Sequence, residues 1–206
     1  NTTGVNNTVV GWEAGCKITD SVGNSAFGYE SLQDNTTGDQ NTALGYRALC
    51  GNTTASNNVA VGACALKANT TGTFATAVGT NALTANTTAT SNTAMGYEAL
   101  CTTQTGASNV AFGRATLKSN TGDSNSALGH LALCTNTTGT QNTAVGTNSM
   151  RCNTSGSYNT AVGLSSLFTN TTGANNTAVG FCVLESNTIG CYNHALGRNN
   201  LMANTS

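Results

Sequence analysis

Large apolar residues recur about once every seventeen positions along this chain, each immediately before a glycine. The glycines are Gly11, Gly28, Gly45, Gly62, Gly79, Gly96, Gly113, Gly129, Gly146, Gly163, Gly180 and Gly197, seventeen apart except for one step of sixteen between Gly113 and Gly129. Before them stand Val10, Phe27, Leu44, Val61, Val78, Met95, Phe112, Leu128, Val145, Val162, Val179 and Leu196. A second apolar column lies four positions after each glycine, from Leu32 to Leu201, with Met150 in one unit and Gly15 in the first. Polar positions keep the same period. Asn lies four before the glycine in eleven of twelve units (Ala75 is the exception), and Ala lies two before it in eleven, with Val9 the exception. Seven positions after the glycine Asn returns, followed by Thr-Thr and often Gly.

A seventeen-residue unit is too short for a helical-hairpin repeat, which needs about thirty residues or more. Gly and Asn also interrupt every apolar stretch within a few residues, so no helical period develops. The pattern predicts two short strands per unit, one around N-T-A-V and one around A-L, joined by turns. Successive units stack so that each strand pairs with its copy about 4.8 Å along an axis. The expected fold is all-β: a parallel β-solenoid of twelve rungs, a rod roughly 55 Å long. The short unit carries its deletion at Asn120-Thr121-Gly122, where its neighbours read Asn-Thr-Thr-Gly. A turn can lose a residue, whereas a paired strand would flip its side chains to the other face. The sequence contains no Pro, consistent with a ladder that needs every N–H.

Side chains alternate between the faces of a strand. The large residue before each glycine is expected to point into the coil, which sends the Ala column outward. A small residue held outward in so many units suggests close contact with another copy, and a thin core gives the same indication. The expected state is a homo-oligomer, a trimer or a filament. The array is read as one domain over residues 1–206, uncapped at both ends because it begins and ends in the same phase, and as part of a longer fibre or filament.

Charge and composition narrow the reading. Only 7% of residues are charged and the net charge is −1, which leaves no electrostatic footprint for nucleic acid. No apolar run approaches a membrane span, so neither nucleic acid nor membrane insertion is expected. Eight cysteines in so neutral a chain point to an oxidising compartment, and an extracellular, cell-surface or virion-surface location is expected.

The unit N-[TS]-A-[VLF]-G, as in Asn41-Thr42-Ala43-Leu44-Gly45 and Asn142-Thr143-Ala144-Val145-Gly146, resembles the head repeats of trimeric autotransporter adhesins and the repeats in phage tail-fibre shafts. The resemblance spans all twelve units. It implies a left-handed β-roll assembled as a trimer. The rung is longer here than in that family, and cysteines are unusual in such heads.

Candidate chemistry is sparse. No C-x-x-C is present and His130 and His194 are the only histidines, so no metal or cofactor is expected and catalytic residues are assigned to none. An acyltransferase on a left-handed helix would show its aliphatic-Gly pair three times per coil, not once. Cysteines of one column two rungs apart would have Cα atoms about 9.6 Å apart, beyond the roughly 7 Å a disulfide spans. Cys134 and Cys152, on adjacent rungs, are the best intrachain pair; Cys50 with Cys64 and Cys182 with Cys191 need a corner to bring them together. Cys16 and Cys101 lack a partner and are assigned to intermolecular bonds. Asn35, Asn52, Asn69, Asn86, Asn136, Asn153 and Asn170 lie in N-x-[ST] sequons and are candidate glycan acceptors, against a competing role in turns. Trp12, Tyr29, Tyr46, Tyr97 and Phe181 follow their glycines directly, where they could stack on sugars or on neighbouring rungs. The expected role is a non-enzymatic fibre shaft or adhesin head, with self, surface carbohydrate or a host receptor as partner. The alternative is a subunit that stacks end to end into a disulfide-linked filament.

Overall fold

A computed structural model describes residues 4–205 and shows a parallel β-solenoid. Residues 1–3 and Ser206, the ends of the predicted array, lie outside the described residues. Twelve three-residue strands, from β1 (Thr8–Val10) to β12 (His194–Leu196), form a single sheet in strict chain order. Each is the triplet before an anchor glycine. All pairs are parallel and in register, so Ala26 lies beside Ala43 and Phe27 beside Leu44. The eleven strand pairs give about eleven turns of the coil.

The second predicted strand does not form. The A-L segment is a turn that alternates between right- and left-handed backbone, with Arg47 at φ 54° and Leu49 at φ 50° flanking Ala48. A left-handed conformation costs a leucine about 1–2 kcal/mol. In return, two consecutive side chains, Ala48 and Leu49, face inward and are fully buried, which a strand cannot achieve. Rungs still bond to each other here: Leu32 N–H donates to Ala48 O at 2.9 Å, Asp34 N–H to Cys50 O at 3.0 Å and Thr36 N–H to Thr53 O at 2.8 Å. Backbone bonds between rungs thus continue well beyond the sheet.

The strand faces are the reverse of the expectation. Ala26, Ala43, Ala60 and Ala77 are fully buried, while Val10, Phe27, Leu44 and Leu128 stand exposed. The space inside a rung explains the inversion. The leucine column already fills it, from Leu32 through Leu184, and those side chains are fully buried. Opposite a leucine, only alanine fits between the layers. The constancy of Ala therefore reflects a narrow interior, not an interface between chains.

Glycine at the anchor is a steric requirement. Gly79 has φ +129°, and a Cβ there would lie 2.7 Å from Gly96 O and 2.8 Å from its carbonyl carbon. The chain turns out of the strand at this point with one rung's backbone seated on the next, leaving no room for a side chain.

The short unit is absorbed where the sequence placed it. Asn120 stays in its column, and its amide closes the tightened turn onto Gly122 O at 2.7 Å; elsewhere the same bond spans one residue more, as from Asn136 to Gly139 O at 2.8 Å.

Candidate functional site

Two columns of buried Asn form a polar spine inside the coil. Each Asn four before the anchor accepts the backbone N–H of its successor one rung on, as Asn41 Oδ1 does from Asn58 at 3.0 Å. Its amide donates to a turn carbonyl of the following rung, as Asn58 Nδ2 does to Gly72 O at 2.9 Å, except at Asn193, whose Nδ2 is buried without a partner. The Asn seven after the anchor donates to the same carbonyl, Asn69 to Gly72 O at 2.9 Å, and to the preceding Asn, Asn69 to Asn52 Oδ1 at 2.9 Å. The adjacent Thr adds a rung-to-rung bond, Thr53 Oγ1 to Thr70 O at 3.1 Å. N-T-T recurs because each of its first two side chains bonds along the axis.

This spine corrects the sequon reading. Asn35, Asn52, Asn69, Asn86, Asn136, Asn153 and Asn170 are fully buried, and each whose amide is described uses it in the spine, as Asn153 does toward Asn136 Oδ1 at 2.7 Å and Gly156 O at 2.9 Å. In the folded rod these amides are closed to a glycan.

The spine has two interruptions. Ala75 provides no Oδ1 for the Asn92 N–H, and Thr103 replaces an Asn, leaving the buried Asn86 Oδ1 without a partner. A buried unpaired acceptor costs about 1–3 kcal/mol. Thr103→Asn supplies the missing donor but gives up the Thr103 Oγ1 bond to Asn120 O at 2.7 Å, so it is expected to stabilise the chain by about 1 kcal/mol, which corresponds to roughly 2–4 °C in thermal midpoint at this size. Calorimetry of the variant beside the parent checks it; an unchanged or lower midpoint would contradict the pairing.

All eight cysteines are free thiols in the structure, so none of the expected intrachain pairs is bonded. Cys50, Cys101 and Cys182 are buried, Cys64, Cys134 and Cys152 half-buried, and Cys16 and Cys191 exposed. The Cys50 thiol points to Gln33 Oε1 at 3.5 Å rather than toward Cys64, and Cys191 Sγ accepts from Ala174 N–H at 3.3 Å. Burial pushes the Cys50, Cys101 and Cys134 thiols up from their ordinary value. Since the thiolate is the reactive form, iodoacetamide at neutral pH should label Cys16 and Cys191 well before these three. Peptide mass spectrometry over a time course reads the order, and early labelling of Cys101 would contradict it.

The aromatic residues after the anchors are exposed. Trp12 is 69% exposed, and Tyr29 and Tyr46 stack at 5.4 Å with an interplanar angle of 11°. Those two rings cover each other's faces. Further along, Arg114 lies over Tyr97 at 6.0 Å and Arg198 over Phe181 at 5.4 Å, contacts of the cation–π kind. The column packs from rung to rung. Its only described histidine is His130, whose Nε2 lies 3.0 Å from an Arg114 guanidinium nitrogen.

The outward sheet face was missed by the sequence reading. It consists of the large column beside a column of Thr, Ser and Val, and bears an open hollow of about 360 Å³ lined by Val110, Phe112, Leu128, Thr143 and Val145. Among the described residues no group of His, Cys, Asp or Glu is placed to hold a metal ion, and no helix is long and apolar enough to cross a membrane. The chain matches no family model, no curated protein and no solved structure to which it was compared.

Proposed function

We propose that this chain is a non-enzymatic structural segment, the shaft or adhesive head of an extracellular fibre. The observation that supports this most is the direction of its bonding. Backbone, Asn and Thr hydrogen bonds link rung to rung along the axis, beside shorter bonds that close the turns within a rung. A pull along the rod loads every bond between two rungs together, which suits a load-bearing element. Side chains that could carry chemistry are spent on this stacking or lie dispersed on the surface. The likeness of N-[TS]-A-[VLF]-G to adhesin-head and tail-fibre repeats agrees with the same role.

Electron microscopy of the purified chain tests the shape the role requires. Straight, thin rods about 50 Å long or longer are expected from the rung spacing; compact particles would end the proposal. Fractionation of the source cells tests location: the fibre reading expects the protein at or outside the cell or virion surface, and confinement to the cytosol would refute it. Lengths that grow in multiples of one rod would favour the self-polymerising filament over the shaft.

A further inference from the structure

The outward face of the sheet is large, flat and without charge. Its two columns comprise the residues one and three before each anchor, such as Thr42 with Leu44 and Thr143 with Val145. All seven Lys and Arg and all eight Asp and Glu stand on other columns; His194 is the one ionisable side chain on the face. Along eleven rung spacings of about 4.8 Å and a strand width of about 10 Å, the strip measures on the order of 500 Å² in plan. The apolar column runs the whole length of the strip beside a column that is mostly Thr and Ser, and an exposed apolar stretch of a few hundred Å² on a protein surface is often functional.

We infer that this face is covered by a second copy of the same chain, packed sheet to sheet. Three features favour that occupant. Ridges on the strip recur at every rung, and another copy has ridges at the same repeat, so the two surfaces can interdigitate along their whole length. The absence of cations gives an anionic membrane or a nucleic acid nothing to hold. Burying the strip on both partners removes roughly 1,000 Å² of accessible surface, about the least that a specific interface needs. Two flat faces related by a two-fold axis cover each other completely and leave no further copy to add. The hollow beside Leu128, itself 52% exposed, is where a partner's large side chain would seat. This inference is independent of the fibre role: a two-copy rod could serve elsewhere, and a fibre could be built from single chains.

Sedimentation equilibrium decides it. The parent chain is expected at twice its 20.7 kDa mass, and Leu128→Asp with Val145→Asp is expected to return it to one, with an unchanged far-UV circular dichroism spectrum. Leu164→Asp, an exposed apolar residue off the face, should leave the pair intact. Should the double variant fail to fold, Thr143→Lys makes the same test from the neighbouring column. A parent that stays monomeric at tens of micromolar, a three-copy mass, or a pair that survives the substitutions would overturn the inference.

Discussion

Gly79→Ala is expected to destabilise the rod by more than about 4 kcal/mol and to lower its thermal midpoint by roughly 8 °C or more. Two effects combine. The φ of +129° belongs to a region that only glycine occupies readily, at about 1–3 kcal/mol for other residues. The new methyl would also lie 2.7 Å from Gly96 O, an atom of the next rung's backbone that cannot move without opening the stack. Each rung contacts only its neighbours, so a broken middle rung separates two half-rods. A single cooperative transition should split into two. Gly23→Ala provides the control, because its backbone is also left-handed (φ +72°) but a Cβ there would meet only Gln40 Cγ, at 3.7 Å; its midpoint should shift by no more than a few degrees. Equal effects of the two substitutions on thermal denaturation would contradict the steric account.

Asn153→Ala should cost about 2–4 kcal/mol, although no charge is involved and the residue touches no ligand. It removes donations to Asn136 Oδ1 at 2.7 Å and Gly156 O at 2.9 Å, and takes away the acceptor of Asn170 Nδ2 at 2.8 Å. Asn136 Oδ1 is then left in a dry interior with nothing to receive from. Gly156 O retains Asn142 Nδ2 at 2.8 Å, which keeps the loss below that of all three bonds. Asn153→Asp should behave differently with pH. Burial beside an acceptor raises the carboxyl's folded-state pKa, so the variant's stability is fullest below the ordinary aspartate value of about 3.9 and falls as pH rises above it. Urea denaturation at pH 4 and pH 7 measures both; a pH-independent Asp variant would show that the column is wet.

The period was legible in the sequence because stacking makes one position's environment the same in every rung. Glycine spacing located all twelve strands, and the shortened Asn120-Thr121-Gly122 unit located a turn. Which way the strand faces was not legible. Val and Leu before the glycine suggested a core by hydrophobicity alone, and only the width of the rung, set by the Leu32–Leu184 column, shows that Ala is what fits. The A-L segment was read as a strand because its apolar pair mimics one; left-handed Leu49 and its equivalents are conformations that leucine composition does not advertise. Thr-Thr after Asn had the look of turn chemistry, yet the first Thr of each pair bonds the next rung. The exposed sheet face became visible as a surface only once the inversion was known.

That identical positions lie directly over one another, rung upon rung, can be tested by diffraction from an aligned film of the rods. A meridional reflection near 4.8 Å is predicted, the spacing of hydrogen-bonded strands repeated along the rod axis. A reflection near 5.4 Å, the pitch of a helix, or a strand spacing on the equator instead of the meridian, would contradict it.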